Sequence, residues 1–418
     1  MEKFVIRGGQ KLGGKIRVNG AKNAALKILA ASLLTDKEWV VSNVPQIEDI
    51  FRLVKLLKNT GAEVKEPSKG VYQIRAKNIQ ATSLEASIAQ KLKGSVLMAG
   101  PLLARCGKAA FPCSGGCVIG QRPRDIFLSG FEAFGAKVEQ SNKGYQLTAK
   151  KLKGAKFVFP VVSVTATEAM ILTAVLAKGR TVLKNAACEP EIIALVQFLN
   201  KCGAKIKGAG TPFIEIEGVA SVNNGQCQVM PDRIEAGSFA ILGAVTNSPI
   251  KVIGLNPDYL EILWYFLEKA GVNLDIGRDF VAIKPGFTLK AVNLKTHEYP
   301  GFVTDLQPPF TVLMTQAKGV SLVHETIFEG RLFYTDILNQ MGANIVMCDP
   351  HRAIVQGKTR LYGRHLVSPD IRAGIALVIA ALTAQGKSVI ENVYQIDRGY
   401  EKIEERLSKI GADIKRVV

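Results

Sequence analysis

The chain has no uncharged apolar run long enough to span a bilayer. Its longest, Ala373 to Ala384, falls short of the roughly 20 residues that a membrane helix needs. The N-terminus, Met1-Glu2-Lys3-Phe4-Val5, lacks the apolar stretch of a secretory signal, so export is not expected. The seven cysteines (106, 113, 117, 188, 202, 227 and 348) are odd in number and scattered, and no C-x-x-C occurs. That pattern fits a reducing compartment better than a disulfide framework. The four histidines (297, 324, 351 and 365) are not spaced as metal ligands, and H-E-x-x-H is missing, so no catalytic metal is expected. Aromatics make up only 7% of residues and no basic-aromatic cluster stands out, which disfavours a single-stranded nucleic-acid surface. Low-complexity runs are scarce and the charged fraction is 22%, which argues against disorder.

What is present suits a folded protein of two domains, three at most: 418 residues, 47% of them hydrophobic. The net charge of +18 attracts anions, and a small polyanionic substrate, nucleic acid and membrane phosphate all qualify. The basic residues are spread along the chain, so many of them can equally be a solvated surface.

Internal repetition is the most informative feature. A segment with apolar residues at helical spacing ends in Gly-x-x-apolar six times, with the glycines at 61, 135, 203, 271, 342 and 411. Their separations are 74, 68, 68, 71 and 69 residues. A glycine just past a helix closes its C-terminus with positive φ, and the chain then turns into a strand. A second, far more apolar helix also recurs six times, beginning near Ala21, Ser95, Thr165, Ile234, Thr304 and Asp370. A helix apolar on nearly every face is a buried helix. Each is followed by a β-rich run such as Trp39-Val40-Val41. Six units of two helices and three or four strands, three units per domain, predict two similar α/β lobes rather than a solenoid of shorter units. The lobe boundary is expected near Gln228–Asp232, with residues 20–230 forming one lobe and 1–19 plus 231–418 the other. The first strand, Phe4-Val5-Ile6, would complete the C-terminal lobe, and a cleft between lobes is a favoured ligand site.

Several motifs carry chemistry. Gly9 to Ile16 matches G-x4-G-K but ends in isoleucine and continues as a strand, so a P-loop is rejected and a hairpin expected. No G-x-G-x-x-G follows a strand, so a dinucleotide fold is not supported. Gly20-Ala21-Lys22-Asn23 precedes the first buried helix and suits an anion at its N-terminus; alternatively Asn23 caps the helix and Lys22 is merely exposed. Gly115-Gly116-Cys117 lies five residues before Arg122, which makes Cys117 either a reactive thiol or a plain surface cysteine. Thr304-Asp305 opens the fifth buried helix, where an acid is most simply a cap or first-turn residue. Arg331, Arg372 and Arg398 stand near unit junctions; together they could bind phosphate and carboxylate, and singly they would be solvated or paired.

In order along the chain come Lys22-Asn23, the Gly-Gly-Cys loop with Arg122-Pro123, Pro231-Asp232-Arg233-Ile234-Glu235, Tyr299 to Gln307, Glu329-Gly330-Arg331, Asp370-Ile371-Arg372 and Ile396 to Glu401. This ordered set resembles the UDP-N-acetylglucosamine 1-carboxyvinyltransferase family over essentially the whole chain. The resemblance implies a two-domain inside-out α/β barrel of six βαβαββ units, three per domain. It implies that Lys22, Asn23, Arg122, Arg331, Arg372 and Arg398 bind phosphoenolpyruvate. Cys117 would protonate its methylene carbon and can form a covalent adduct with it. Asp305 would accept the proton of the sugar 3′-hydroxyl. Lys93, Arg122, Pro123, Arg124, Asp125, Ile126, Val162, Ser163, Val164, Thr165, Asp305 and Ile327 would contact UDP-N-acetylglucosamine. No metal or other cofactor, no nucleic acid and no membrane is implied, and the protein would be a cytoplasmic monomer serving peptidoglycan synthesis. The family usually has arginine where Lys93 stands and glycine where Thr165 stands. The cysteine loop, Phe111 to Cys117, is two residues longer than usual and adds Cys113, but Cys117 alone keeps the five-residue step to Arg122. Transfer to shikimate 3-phosphate and a paralogue of reduced activity are the competing readings, with a basic nucleic-acid-binding protein behind them.

Overall fold

The computed structural model describes residues 2–112, 119 and 125–418. They divide into two units. One contains the described residues of 1–19 together with Pro231–Val418 and Ile119, and the other contains the remaining described residues of 20–230.

Both units are built from the same local code. Each amphipathic helix closes at a glycine with positive φ: 94° at Gly61, 87° at Gly135, 99° at Gly203, 91° at Gly271, 101° at Gly342 and 97° at Gly411. A side chain at that φ would be strained, which is why glycine recurs at this position. Each helix end is followed directly by a strand: Glu63–Ser68, Lys137–Ser141, Lys205–Lys207, Asn273–Ile276, Ile345–Asp349 and Asp413–Val417.

The apolar helices are Lys22–Ala31, Ala99–Cys106 and Val164–Ala174 in one unit and Arg233–Val245, Gln307–Thr315 and Ile371–Thr383 in the other. All thirteen residues of Arg233–Val245 are buried. The helices at Ala99 and Gln307 are preceded by 3-10 turns, Lys93–Met98 and Thr304–Leu306. Within each unit the three helices lie at the centre of one apolar core. The sheets cover them, with strands such as Phe280–Lys284 and Phe213–Glu217 alternating buried and exposed residues. This is the inside-out arrangement of helices within sheets.

Among the described residues there are six sheets, and five have four strands in one shared pattern. The strand after the buried helix pairs in parallel with one neighbour and antiparallel with a hairpin strand, as Arg180–Lys184 does with Lys156–Val158 and Phe213–Glu217. The expected hairpin at the N-terminus is not formed. Lys3–Arg7 lies between Lys387–Glu391 and Asp413–Val417, with Phe4 opposite Ile390 and Arg416. Gly14–Arg17 joins a different sheet, parallel to Ile250–Ile253. Reciprocally, Gly225–Gln228 pairs with Glu38–Ser42 at the start of the other unit. The six residues between the first two strands therefore connect separate sheets instead of turning back.

Candidate functional site

In the unit that contains the C-terminus, charge gathers at the starts of two buried helices. Asp305 sits in the 3-10 turn that opens Gln307–Thr315, and its side chain does not cap that turn. Its Oδ1 accepts from Arg331 Nη2 at 3.1 Å, and its Oδ2 accepts from Arg372 Nε at 2.8 Å with Arg372 Nη2 at 2.7 Å. The arginine side chains are only 2% and 7% exposed, against 23% for Asp305. The carboxylate is thus the open member of the trio and the guanidinium groups its buried support. Arg331 packs over the Phe328 ring at 5.3 Å and lies 4.0 Å from Asp370.

Asp370 also caps Ile371–Thr383, accepting from the amides of Arg372 and Ala373 at 2.8 and 3.2 Å. Arg372 thereby sits in the first turn with a fixed backbone. It donates to the Tyr400 hydroxyl at 3.4 Å, which is 3.0 Å from Ser238 Oγ. Burial, the largest single influence, pushes the Arg372 pKa down, but Asp305, Tyr400 and Asp232 together outweigh it and leave the net shift upward. Burial raises Tyr400 to about 12 despite the adjacent guanidinium, so Tyr400 acts as a neutral donor and acceptor. Arg398 follows the short helix Tyr394–Asp397 and donates to Gln395 Oε1 at 3.0 Å. Ile327 is half-buried, its amide held by Glu325.

The other unit holds the remaining described candidates. Lys22 and Asn23 open the first buried helix, and Ala21, not Asn23, is its cap residue. Gly20 makes this entry possible: a Cβ there would fall 1.8 Å from the Asn43 carbonyl oxygen. Lys22 is buried, not exposed, and its Nζ lies 2.8 Å from Asp49 in the first turn of Glu48–Asn59. Behind it on the same helix, Lys27 meets Glu168 at 3.3 Å. Burial, reinforced by Glu191 and Glu189 and opposed by Lys27, raises Glu168 to about 8. Lys93 begins the 3-10 turn that leads into Ala99–Cys106. Asp125 is exposed at the start of Asp125–Ala133, with Ile126 buried beneath it. Val162 is half-buried, and Ser163 caps the helix that starts Val164-Thr165, accepting from Ala166 at 3.3 Å. Cys113, Cys117, Arg122, Pro123 and Arg124 lie outside the described residues.

Of the candidate residues, then, Asp305 contacts both Arg331 and Arg372 directly. The partners Asp49, Asp370, Tyr400 and Glu168 were not anticipated. Asp370 was legible in principle, because an aspartate before an apolar helix is a cap signal, but its second role beside Arg331 depends on tertiary structure. A carboxylate presented by two buried guanidinium groups can take a proton or hydroxyl donor on its open side while the cations attract phosphate and carboxylate groups.

The family model of EPSP synthase (3-phosphoshikimate 1-carboxyvinyltransferase) matches residues 6–407. A UDP-N-acetylglucosamine 1-carboxyvinyltransferase of Koribacter versatilis is 44% identical over 421 residues, covering 100% of this chain and 97% of the relative. The chain belongs to this family. A UDP-N-acetylglucosamine 1-carboxyvinyltransferase of Desulfosudis oleivorans is 41% identical with full coverage of both chains. Among solved structures, the enolpyruvyl transferase NikO from Streptomyces tendae matches with a TM-score of 0.90 at 24% identity, covering 100% of this chain and 99% of that one. EPSP synthase from Acinetobacter baumannii matches with 0.78 at 19%, covering all of both chains. These two likenesses establish the fold shared by enolpyruvyl transferases and EPSP synthase: two α/β units of repeated design. Among the described residues no helix is long and apolar enough to cross a membrane.

Proposed function

We propose that this enolpyruvyl transferase moves the enolpyruvyl group of phosphoenolpyruvate to the 3′-hydroxyl of UDP-N-acetylglucosamine and releases inorganic phosphate. Full-length identity of 44% to a relative of that name supports the reaction. The observation that carries the site is the Asp305 carboxylate held by Arg331 and Arg372.

In this reading the 3′-oxygen bonds to C2 of phosphoenolpyruvate while a proton adds to C3. Asp305 accepts the hydroxyl proton, exchanging an arginine contact for the substrate. Cys117 supplies the C3 proton and also serves as the nucleophile in a covalent adduct with phosphoenolpyruvate; the epoxide antibiotic fosfomycin alkylates the same thiol. The tetrahedral addition product then loses phosphate from C2 and a proton from C3, regenerating the double bond. An acid at one carbon and a base at the attacking hydroxyl complete the addition without a metal or redox cofactor. Lys22, Arg122 and Arg398 hold the phosphate and carboxylate, with Asn23 beside them and Arg331 and Arg372 stabilising charge. Lys93, Arg122, Pro123, Arg124, Asp125, Ile126, Val162, Ser163, Val164, Thr165 and Ile327 take the sugar nucleotide. Lysine at position 93 keeps the charge of the usual arginine but loses its bidentate geometry, which weakens its hold on the nucleotide. The enzyme works as a cytoplasmic monomer that commits the sugar nucleotide to peptidoglycan.

Phosphate release from phosphoenolpyruvate tests the reading. It should require UDP-N-acetylglucosamine; release with shikimate 3-phosphate instead would reverse the acceptor assignment.

A further inference from the structure

Glu325 is the one fully buried carboxylate among the described residues that ties the Asp305 turn to the segment leading to Arg331. Its side chain has 0% exposure. It directly follows the strand Gly319–His324 and is fixed from behind by a backbone pair with His351: its amide donates to the His351 carbonyl at 2.7 Å, and its own carbonyl is 2.7 Å from His351 Nδ1.

Both carboxylate oxygens are engaged. Oε2 accepts from Thr304 Oγ1 at 2.8 Å, and Thr304 is the residue before Asp305. Oε1 accepts from Thr296 Oγ1 at 3.1 Å and from the amides of Ile327 and Phe328 at 2.9 and 3.3 Å. Phe328 continues the chain of contacts: its carbonyl accepts from the Arg331 amide at 3.1 Å, and its ring lies under the Arg331 guanidinium. One buried side chain therefore sets the backbone on both sides of the Asp305–Arg331 bond. Hydrogen bonds to a charged group are worth more than neutral ones, and a buried acceptor of four donors has few alternative rotamers. We infer that Glu325 is a positioning residue for the proposed transfer, acting through Thr304 on Asp305 and through Ile327 and Phe328 on Arg331 and the nucleotide contact at Ile327.

This inference rests on the enolpyruvyl-transfer reading, and its test separates the two. Steady-state kinetics with phosphoenolpyruvate and UDP-N-acetylglucosamine would be measured for wild type, Glu325→Ala, Glu325→Gln and Thr304→Val, with folding checked by near-ultraviolet circular dichroism. Displacing a reacting group by about 1 Å costs roughly a hundredfold in rate, so Glu325→Ala should lower kcat by about that factor while KM moves far less. Glutamine can keep the three bonds at Oε1, and the Thr304 hydroxyl can turn to accept from its amide nitrogen, so Glu325→Gln should recover kcat to within about tenfold of wild type. Thr304→Val removes one bond from an isosteric side chain and should lower kcat about tenfold, which keeps the test decisive if the alanine variant does not fold. A wild-type protein without turnover would sink the functional reading. A wild-type protein with turnover overturns this inference alone if Thr304→Val keeps full kcat, if a folded Glu325→Ala does, or if glutamine fails as badly as alanine.

Discussion

Replacing Asp305 with asparagine would leave Arg331 and Arg372 in place, with side chains 2% and 7% exposed, and remove the charge that both face. Breaking a buried ion pair from one side costs about 3–5 kcal/mol, because the remaining charge stays buried. Two features put this case near the lower end. The Asp305 side chain is itself 23% exposed, and Asp370 lies 4.0 Å from Arg331 as a partial counter-charge. The expected loss is therefore about 3 kcal/mol. A unit of about 200 residues shifts its melting temperature by about 2–4 °C per kcal/mol, so scanning calorimetry should show a fall of about 6–12 °C. Adding Arg372→Met to Asp305→Asn should recover part of it, since it removes one of the two buried charges left unpaired and leaves Arg331 with Asp370 at 4.0 Å. Melting of Asp305→Asn within about 2 °C of wild type would refute the claim that this carboxylate supports the guanidinium pair.

Glu168→Gln should flatten the pH dependence of stability. The folded carboxyl is raised to about 8 from 4.5, mainly by burial, so its proton is held more tightly folded than unfolded. Its stabilising contribution is complete below 4.5 and is lost as pH rises through about 8; urea midpoints should therefore fall over that window in wild type relative to the glutamine variant, and parallel curves would contradict the assignment. Cys117→Ser should abolish both turnover and fosfomycin labelling, whereas Cys113→Ser should do neither; equal loss in both, read by phosphate release and intact mass, would contradict the choice of Cys117.

The fold was largely legible because its code is local and repeated. Gly61 and its five counterparts mark helix ends by φ, Ala373–Ala380 is apolar all round, and Ala24–Ala31 is so but for Lys27. Strand partnership was not legible in the same way. Nothing within residues 3–17 indicates that Phe4 pairs with Ile390 while Ile16 pairs with Val252, so alternation alone suggested a hairpin that does not exist. The candidate site divides along the same line. Asp305, Arg331 and Arg372 were identified by resemblance, but their mutual contacts span 26 and 67 residues of sequence. Asp49 reads locally as a first-turn acid and Asp370 as a cap, and neither reading reveals the cation beside it. Glu325 carries no local signal, because its role comes from four donors in three separate segments.

Product identity tests the central claim most directly. Carbon-13 nuclear magnetic resonance of a reaction with C2-labelled phosphoenolpyruvate and UDP-N-acetylglucosamine should show an enol ether whose labelled carbon couples to the position-3 carbon and proton of the sugar. Unchanged phosphoenolpyruvate in that mixture, with an enol ether formed on shikimate 3-phosphate instead, would contradict the account.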